Sequence, residues 1–236
     1  MGKIIILHEN MQEESEETAR ALKEVYGLES KLIDGNLKGL LPAIPEFNGY
    51  APLSWKLIET VGSFGDAVLI LTPRDLYADN KSKEDDWVFG SAYNGNELGK
   101  ELGVSIVSNA RMKRKDNQPS WIIEVPKPLY LKRISTTGVH EMGHDVVKSA
   151  HLKEAKLVNA KTRYELPLGP HCDDNRCVMY EIIDITAPLK EESYLLLGDE
   201  KRFDAGLDET IARMHPNWLC QRCKQSVVID GKYDAD

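Results

Sequence analysis

The sequence predicts a layered fold of the α/β or α+β class, and three observations lead to that prediction. Short apolar runs, typical of buried strands, recur through the first half of the chain. Segments with helical spacing of apolar residues lie between them. From residue 166 on, the chain is rich in proline, glycine, cysteine and aspartate. We therefore expect a sheet-bearing part, residues 1–150, and a smaller metal-rich part, residues 151–236.

The first elements are predicted to alternate strand, helix and strand. Residues 3–7 contain the run Ile-Ile-Ile-Leu and predict a short buried strand. Residues 11–25 predict a helix, because acidic residues lie near its start and basic residues near its end. Gly27 is the expected stop of this helix. Residues 30–33 are predicted to form the second strand.

The middle of the chain continues the alternation. Residues 53–61 predict a helix that ends at Gly62, and residues 66–72 predict a buried strand through the run Ala-Val-Leu-Ile-Leu. The polar residues 80–86 predict a surface loop. The remaining predicted elements are strands at 104–108 and 121–125, a helix that starts near Leu129 and runs well past His144, and a helix at 207–214.

Composition and charge exclude several classes of protein. The 236 residues are 42% hydrophobic and 29% charged, which excludes wholesale disorder and collagen-like repeats. The formal net charge is −8, so nucleic acid is not an expected partner. No apolar run is long enough for a signal segment or a membrane span. We expect a cytoplasmic protein that does not bind a membrane.

The strongest chemical signal is the pattern HExxH, formed by His140, Glu141 and His144 on a predicted helix. Positions i and i+4 lie about 40° apart around a helix, so both imidazoles can bind one zinc ion. Glu141 lies beside them, where it is predicted to activate a zinc-bound water and to protonate the leaving amine. The alternative is a chance match, with two histidines on a surface helix.

A catalytic zinc needs a third protein ligand, and two downstream histidines are candidates. His151 lies in a segment that is predicted to continue the helix, which puts it roughly 10 Å along the axis from His144. We therefore interpret His151 as an exposed histidine. His171 follows a Gly-Pro pair that can redirect the chain, and it precedes Cys172. The predicted ligands of the catalytic zinc are His140, His144 and His171.

The four cysteines form two close pairs, Cys172 with Cys177 and Cys220 with Cys223. In the cytoplasm thiols stay reduced, and two such pairs are typical of a structural zinc held by four thiolates. The alternative is four unrelated buried thiols. Together with the histidine set, these ligands predict two zinc ions per chain.

These motifs resemble those of the archaemetzincins. From His171 the chain has the order HC-x4-C-x-M, followed by C-x2-C, as in the family pattern HExxHxxGxxHC-x4-C-x-M with its further C-x2-C. Similar blocks precede the zinc helix in the same order: Asp75-Leu76-Tyr77, Trp87-Val88-Phe89-Gly90-Ser91-Ala92, and Ser105-Ile106-Val107-Ser108-Asn109-Ala110-Arg111. The resemblance covers roughly residues 68–223.

The chain departs from the family pattern at two insertions and one substitution. Residues 145–170, 26 in number, separate the second and third histidines where the family has five. Residues 178–219, 42 in number, precede the last cysteine pair. Val147 occupies the position of the family glycine. Both insertions fall between ligands, and the cost of closing a loop grows only with the logarithm of its length. The first insertion is also similar to the leishmanolysin arrangement.

The resemblance implies an α+β fold with a twisted mixed sheet, a backing helix, an active-site helix and a C-terminal zinc-bearing subdomain. It implies a zinc metallopeptidase whose peptide or protein substrate lies antiparallel to an edge strand, for which Val104–Ser108 is the candidate. Met179 would be the methionine of the Met-turn, with an ordinary core methionine as the alternative. Two other functions remain: a non-catalytic zinc protein that binds partners while the insertions cover its cleft, and an α/β protein without catalytic metal.

Overall fold

The computed structural model describes part of the chain: residues 3–37, 43–44, 49–50, 67–77, 87–93, 103–110, 112, 127–158, 165–180, 214 and 218–229. Several predicted elements lie outside these residues, namely the helices at 53–61 and 207–214 (of which only Met214 is described), the strand at 121–125 and the loop at 80–86. No described helix is long and apolar enough to cross a membrane.

A five-stranded sheet forms the centre of the fold. Its strands are β1 (Lys3–His8), β2 (Glu29–Asp34), β5 (Ala67–Thr72), β8 (Gly90–Tyr93) and β9 (Val104–Ser108), in the order β2-β1-β5-β9-β8. The three neighbouring pairs among β2, β1, β5 and β9 are parallel, and β8 pairs with β9 antiparallel. The sheet and its helices give the α+β class that the sequence predicts.

Both faces of this sheet are covered, which explains the unbroken apolar runs of its central strands. Successive side chains of a strand point to opposite faces. Accordingly Ile4 and Ile6 belong to one buried cluster, and Ile5 and Leu7 belong to a second. Every residue of β5 is buried in the same way. A strand covered on both sides shows no alternation of apolar and polar residues, and the sequence has none here.

The outermost strand corrects one prediction. Val104–Ser108 is predicted from the sequence to be the edge strand. In the structure this strand lies inside the sheet, between β5 and β8. All five of its residues are buried, as expected for an interior strand. Among the described residues, Gly90–Tyr93 is the edge strand on this side.

The first helix, α1 (Gln12–Tyr26), confirms the predicted start and stop signals. Glu13 and Glu14 lie in its first turn and Lys23 in its last, where they complement the helix dipole. Gly27 follows with φ of 73° and donates its N–H to the Lys23 carbonyl over 3.0 Å. Glycine adopts this left-handed conformation at little cost, so the helix ends there.

The second helix, α2 (Lys127–Val146), carries the HExxH pattern and packs on α1 and on strands β8 and β9. The sequence predicts that this helix runs well past His144, but it ends at Val146. Val147 forms an antiparallel bridge with Val227, and the Lys148 N–H donates to the Ser226 carbonyl over 2.9 Å. A strand, β10 (Lys153–Val158), follows in place of the predicted helix. Backbone pairing with a distant segment therefore ends α2 without a glycine.

The remaining described elements are short. Strand β10 forms an antiparallel hairpin with β11 (Glu165–His171). Helix α3 (Gln221–Gln225) begins directly after Cys220. A further four-stranded sheet has the order β3-β4-β6-β7, with strands Ala43–Ile44, Gly49–Tyr50, Asp75–Tyr77 and Trp87–Val88. The division of the chain near residue 150 stays a prediction.

Candidate metal centres

The imidazoles of His140, His144 and His171 meet at one point. The first two lie one turn apart on α2, and His171 is the last residue of β11. The Nε2 atom of His140 is 3.2 Å from Nε2 of His144 and 3.2 Å from Nε2 of His171. Three nitrogens bound to one tetrahedral zinc would be separated by ~3.4 Å. The spacing of this group fits such an ion.

The other ring nitrogens hold two of these imidazoles in place. Nδ1 of His140 donates to the Val178 carbonyl over 2.7 Å, and Nδ1 of His171 donates to the Gly169 carbonyl over 2.9 Å. A proton on Nδ1 leaves the lone pair on Nε2, which is the atom that faces the other histidines. Second partners of this kind commonly fix the tautomer and orientation of zinc-binding histidines.

Electrostatics keep this group in the form that binds a metal. Burial and, secondly, the neighbouring His171 lower the pKa of His140 to about 3, although the hydrogen bond to Val178 opposes the shift. Burial also holds the pKa of His144 well below its usual value. Both rings are therefore neutral at pH 7, as zinc ligation requires.

Glu141 is buried beside this group, with 6% of its surface exposed. It lies against Gly90, the first residue of the edge strand: a Cβ atom on Gly90 would be 2.5 Å from Oε1 of Glu141. Burial raises the pKa of the Glu141 carboxyl to about 8. A dication held by the three imidazoles would favour the charged form and lower this pKa. The group is thus placed to exchange a proton near neutral pH.

Met179 lies directly beneath the HExxH segment of α2. It is fully buried, and a Cβ atom on Gly143 would overlap its sulphur. Tyr26 also lies between α2 and Met179. Its hydroxyl donates to the Val139 carbonyl over 2.9 Å and lies 3.9 Å from the Met179 sulphur. Gly143 therefore permits the close approach of α2 to this methionine. The Met-turn role that the resemblance implies for Met179 stays a prediction.

The four cysteines lie together in a second group. The Sγ atoms of Cys172 and Cys220 are 3.7 Å apart, close to the ~3.8 Å expected for two sulphurs on one tetrahedral zinc. Backbone N–H groups point at the sulphurs: Cys220 N–H donates to Cys177 Sγ and Cys223 N–H donates to Cys220 Sγ, each over 3.4 Å. Hydrogen bonds from the Cys177 and Cys223 thiols lower the pKa of Cys172. All four thiols are free and buried.

His151 belongs to this second group, which corrects the interpretation of it as an exposed histidine on a continuing helix. Because α2 ends at Val146, the chain turns and brings His151 to the cysteines. Its Nε2 atom is 3.2 Å from Cys172 Sγ and 3.4 Å from Cys223 Sγ. In the described residues, the donors that lie within 4.8 Å of one another here are those of His151, Cys172, Cys220 and Cys223.

Sequence reasoning missed two features of these centres. His151 carries no spacing signal, because its position depends on the bridge between Val147 and Val227. Gly90 carries none either, because its contact with Glu141 joins a strand and a helix that are far apart in sequence. The residues that the sequence does bring forward, His140, His144, His171 and the four cysteines, all lie in one of the two groups.

Comparison with known proteins identifies the fold. No protein-family model matches the chain, and no curated protein sequence matches it. Solved structures do match. A zinc-dependent peptidase from Methanocorpusculum labreanum is 20% identical at a TM-score of 0.53, with 94% of this chain and 98% of that chain covered.

Two archaemetzincins match as well. The protein from Archaeoglobus fulgidus, in complex with malonate, is 16% identical at a TM-score of 0.50, over 95% of this chain and 99% of its own. The protein from Methanopyrus kandleri is 19% identical at a TM-score of 0.51, over 99% of this chain and 96% of its own. The chain has the fold of these three proteins along almost its whole length.

Proposed function

Starting from that shared fold, we propose that the chain is a zinc-dependent metallopeptidase of the archaemetzincin type. The observation that carries the proposal is the convergence of three imidazoles on one point, with the Glu141 carboxyl buried beside them. Three histidines leave one position of a tetrahedral zinc open for substrate or water, as catalytic zinc sites do. A protein that only binds partners needs no buried carboxylate at that position.

Each side chain has a defined task in peptide hydrolysis. His140, His144 and His171 would hold the zinc, which when bound would supply a Lewis acid for the peptide carbonyl and for water. Glu141 accepts the proton of the attacking water on its carboxylate and then donates it to the leaving nitrogen. Its burial excludes bulk water from this transfer. The carbonyls of Val178 and Gly169 keep two of the rings oriented throughout.

We propose that the substrate backbone lies along the edge strand Gly90–Tyr93, antiparallel to it. This strand is paired with β9 on its inner side and is outermost on the other, among the described residues. An extended peptide can add to such an edge through main-chain hydrogen bonds. The contact between Gly90 and Glu141 then brings the scissile bond to the proton carrier.

A second zinc is proposed for the cysteine group, with a structural role. This site would be closed by protein ligands, so it has no position for a substrate. We propose a reducing compartment such as the cytoplasm for this protein, because thiols stay reduced there and are available to bind zinc. The expected zinc content is two ions per chain.

The Glu141→Gln variant tests the proposal. The amide has the shape of the carboxyl but cannot take a proton, so zinc content and fold should stay as in the parent. Hydrolysis of a mixed peptide library, followed by mass spectrometry, should fall by about 10²–10⁴-fold, the usual contribution of a general base. Equal cleavage by the variant and the parent would refute the role of Glu141. A zinc-loaded parent that cleaves no peptide would favour the non-catalytic alternative.

A further inference from the structure

Val178 connects the histidine centre to the segment that precedes the last cysteine pair. Its carbonyl accepts the Nδ1 proton of His140 over 2.7 Å, and its own N–H donates to the Trp218 carbonyl over 2.8 Å. We propose that Trp218 is a positioning residue of the catalytic site, because its carbonyl fixes Val178 and Val178 orients the imidazole of His140. This inference rests on the proposed function, since it concerns a ligand of the catalytic zinc.

Val178 has little freedom to keep one of these bonds without the other. The residue is fully buried. A buried N–H group without a partner is costly, so loss of the Trp218 carbonyl would force the backbone of Val178 to move toward another acceptor. The carbonyl of Val178 would move with it, since only two dihedral angles separate the two groups. The hydrogen bond that orients His140 therefore depends on where Trp218 places its carbonyl.

The backbone of Trp218 has a conformation that a bulky residue rarely adopts. Its φ is 66°, and Asn10 is the other non-glycine residue with positive φ in the described part of the chain. Asparagine enters this region readily, whereas a large aromatic residue does so at a cost. Such a conformation persists only where the surroundings hold it, and it is found most often at functional sites. The fixed direction of the Trp218 carbonyl therefore requires an anchor for its side chain.

The indole of Trp218 is anchored between the two long helices. Its Nε1–H donates to Oε1 of Glu24, on α1, over 3.2 Å. The Nζ atom of Lys132, on α2, lies 3.6 Å from the ring centroid, where the face of the ring attracts a cation. The residue is buried and belongs to the main apolar cluster. Lys132 and His140 lie on the same helix, about 12 Å apart along its axis, so the indole is fixed against the helix that carries the ligand.

A purely structural role of Trp218 would have a different consequence. Trp218 lies two residues before Cys220, so a loss of packing alone should loosen the cysteine group first. The proposed role places the main effect at His140 instead, which lies on another element. His171 provides an internal control, because its Nδ1 atom is held by the Gly169 carbonyl and not by Val178. The imidazole of His171 should keep its orientation when Trp218 is changed.

The test compares the parent with Trp218→Ala, Trp218→Phe and Leu32→Ala. Trp218→Phe keeps an aromatic ring but loses the indole N–H. Leu32→Ala removes a half-buried side chain that packs on the same apolar cluster from strand β2, and it controls for a general loss of stability. Nuclear magnetic resonance of the zinc-loaded protein, with ¹⁵N-labelled histidine, follows the Nδ1 protons of His140 and His171. Zinc release to a chelator and peptide hydrolysis are measured in parallel.

In Trp218→Ala, the Nδ1 proton of His140 should exchange with water about tenfold faster than in the parent, while that of His171 keeps its parental rate. The zinc of the histidine centre should be released about tenfold faster, the lower end of the usual effect of outer partners on a zinc ligand. Trp218→Phe should show a smaller change of both rates in the same direction, and Leu32→Ala should show none. Parental exchange of the His140 proton in both Trp218 variants, or an equal change at both histidines, would overturn the assignment.

Kinetics and a second spectrum separate positioning from a structural role. The value of kcat should fall about tenfold in Trp218→Ala, with KM within about twofold of the parent, because the proposed substrate strand lies elsewhere. The thiolate-to-cobalt absorption of the cobalt-substituted protein reports the cysteine group and should stay parental. Its loss, with an unchanged His140 proton, would refute the proposal. The proton and zinc measurements do not require peptide cleavage, so a zinc-loaded parent that cleaves no peptide would refute the proposed function alone.

Discussion

Gly90→Ala should separate the position of Glu141 from the rest of the site. The added Cβ atom would lie 2.5 Å from Oε1 of Glu141 and 2.7 Å from its Cδ and Cγ atoms, whereas ordinary contacts begin at 3.4 Å. The carboxyl group must therefore move by about 1 Å. A displacement of that size at a reacting group can lower the rate about 10²-fold, or about 2.7 kcal/mol. The assay is kcat/KM on a peptide that the parent cleaves.

Two controls identify the cause of that loss. Ser91→Ala lies next along the same strand and should keep parental activity and both zinc ions. In a Glu141→Gln background, Gly90→Ala should cause little further loss, because the group that it displaces no longer carries a proton. If the Gly90→Ala single variant keeps an activity within about threefold of the parent, the predicted displacement of Glu141 is refuted. A full 10²-fold loss in the Glu141→Gln background would place the effect on the substrate strand instead.

The other predictions concern the metals and the end of helix α2. His171→Ala should leave one zinc per chain and no peptidase activity, while far-UV circular dichroism stays parental; two ions by mass spectrometry would contradict this. Gly143→Ala should lower the free energy of unfolding by about 1–3 kcal/mol, since its Cβ overlaps the Met179 sulphur, and an unchanged melting temperature would argue against that contact. Val228→Pro should cost about 1–3 kcal/mol, because it removes the 2.8 Å hydrogen bond to the buried Val146 carbonyl. Val228→Ala is its control, because this side chain is 41% exposed, and equal stability in denaturant would refute the role of the bond.

Elements whose signals are local could be predicted from the sequence. Strand β1 and helix α1 match their predictions, because an apolar run and a glycine stop act within a few residues. The end of α2 could not be predicted in this way. Residues after Val146 have good helix propensity, but pairing with residues 226–228 provides backbone partners that a continuing helix would forgo. Tertiary pairing of this kind overrides a difference in propensity of a few tenths of a kcal/mol per residue.

The same distinction applies to the candidate centres. The proximity of His140 and His144 follows from the pitch of one helix, so the sequence alone predicts it. His171 required a second signal, the turn before Cys172. His151 was misassigned because its place depends on where α2 ends. The prediction of the edge strand was also wrong, because the sequence of a strand does not determine which strands lie beside it in the sheet.

The register of the β10–β11 hairpin explains how the chain returns to the histidine centre after the long insertion between the second and third histidines. The first residue of β10, Lys153, is paired with the last residue of β11, His171, so the hairpin begins and ends at the same place. One end of the hairpin carries His151 and the other carries His171 and Cys172. The Nε2 atom of His151 lies 3.2 Å from Cys172 Sγ, so the two ends of the hairpin are in contact. A metal held by Cys172 would fix this end of the hairpin, and its binding energy would offset the cost of closing the loop. Because His171 directly precedes Cys172, the same metal would fix the third imidazole of the histidine centre. The described part of this long connection thus forms a hairpin whose two ends meet at the cysteine group.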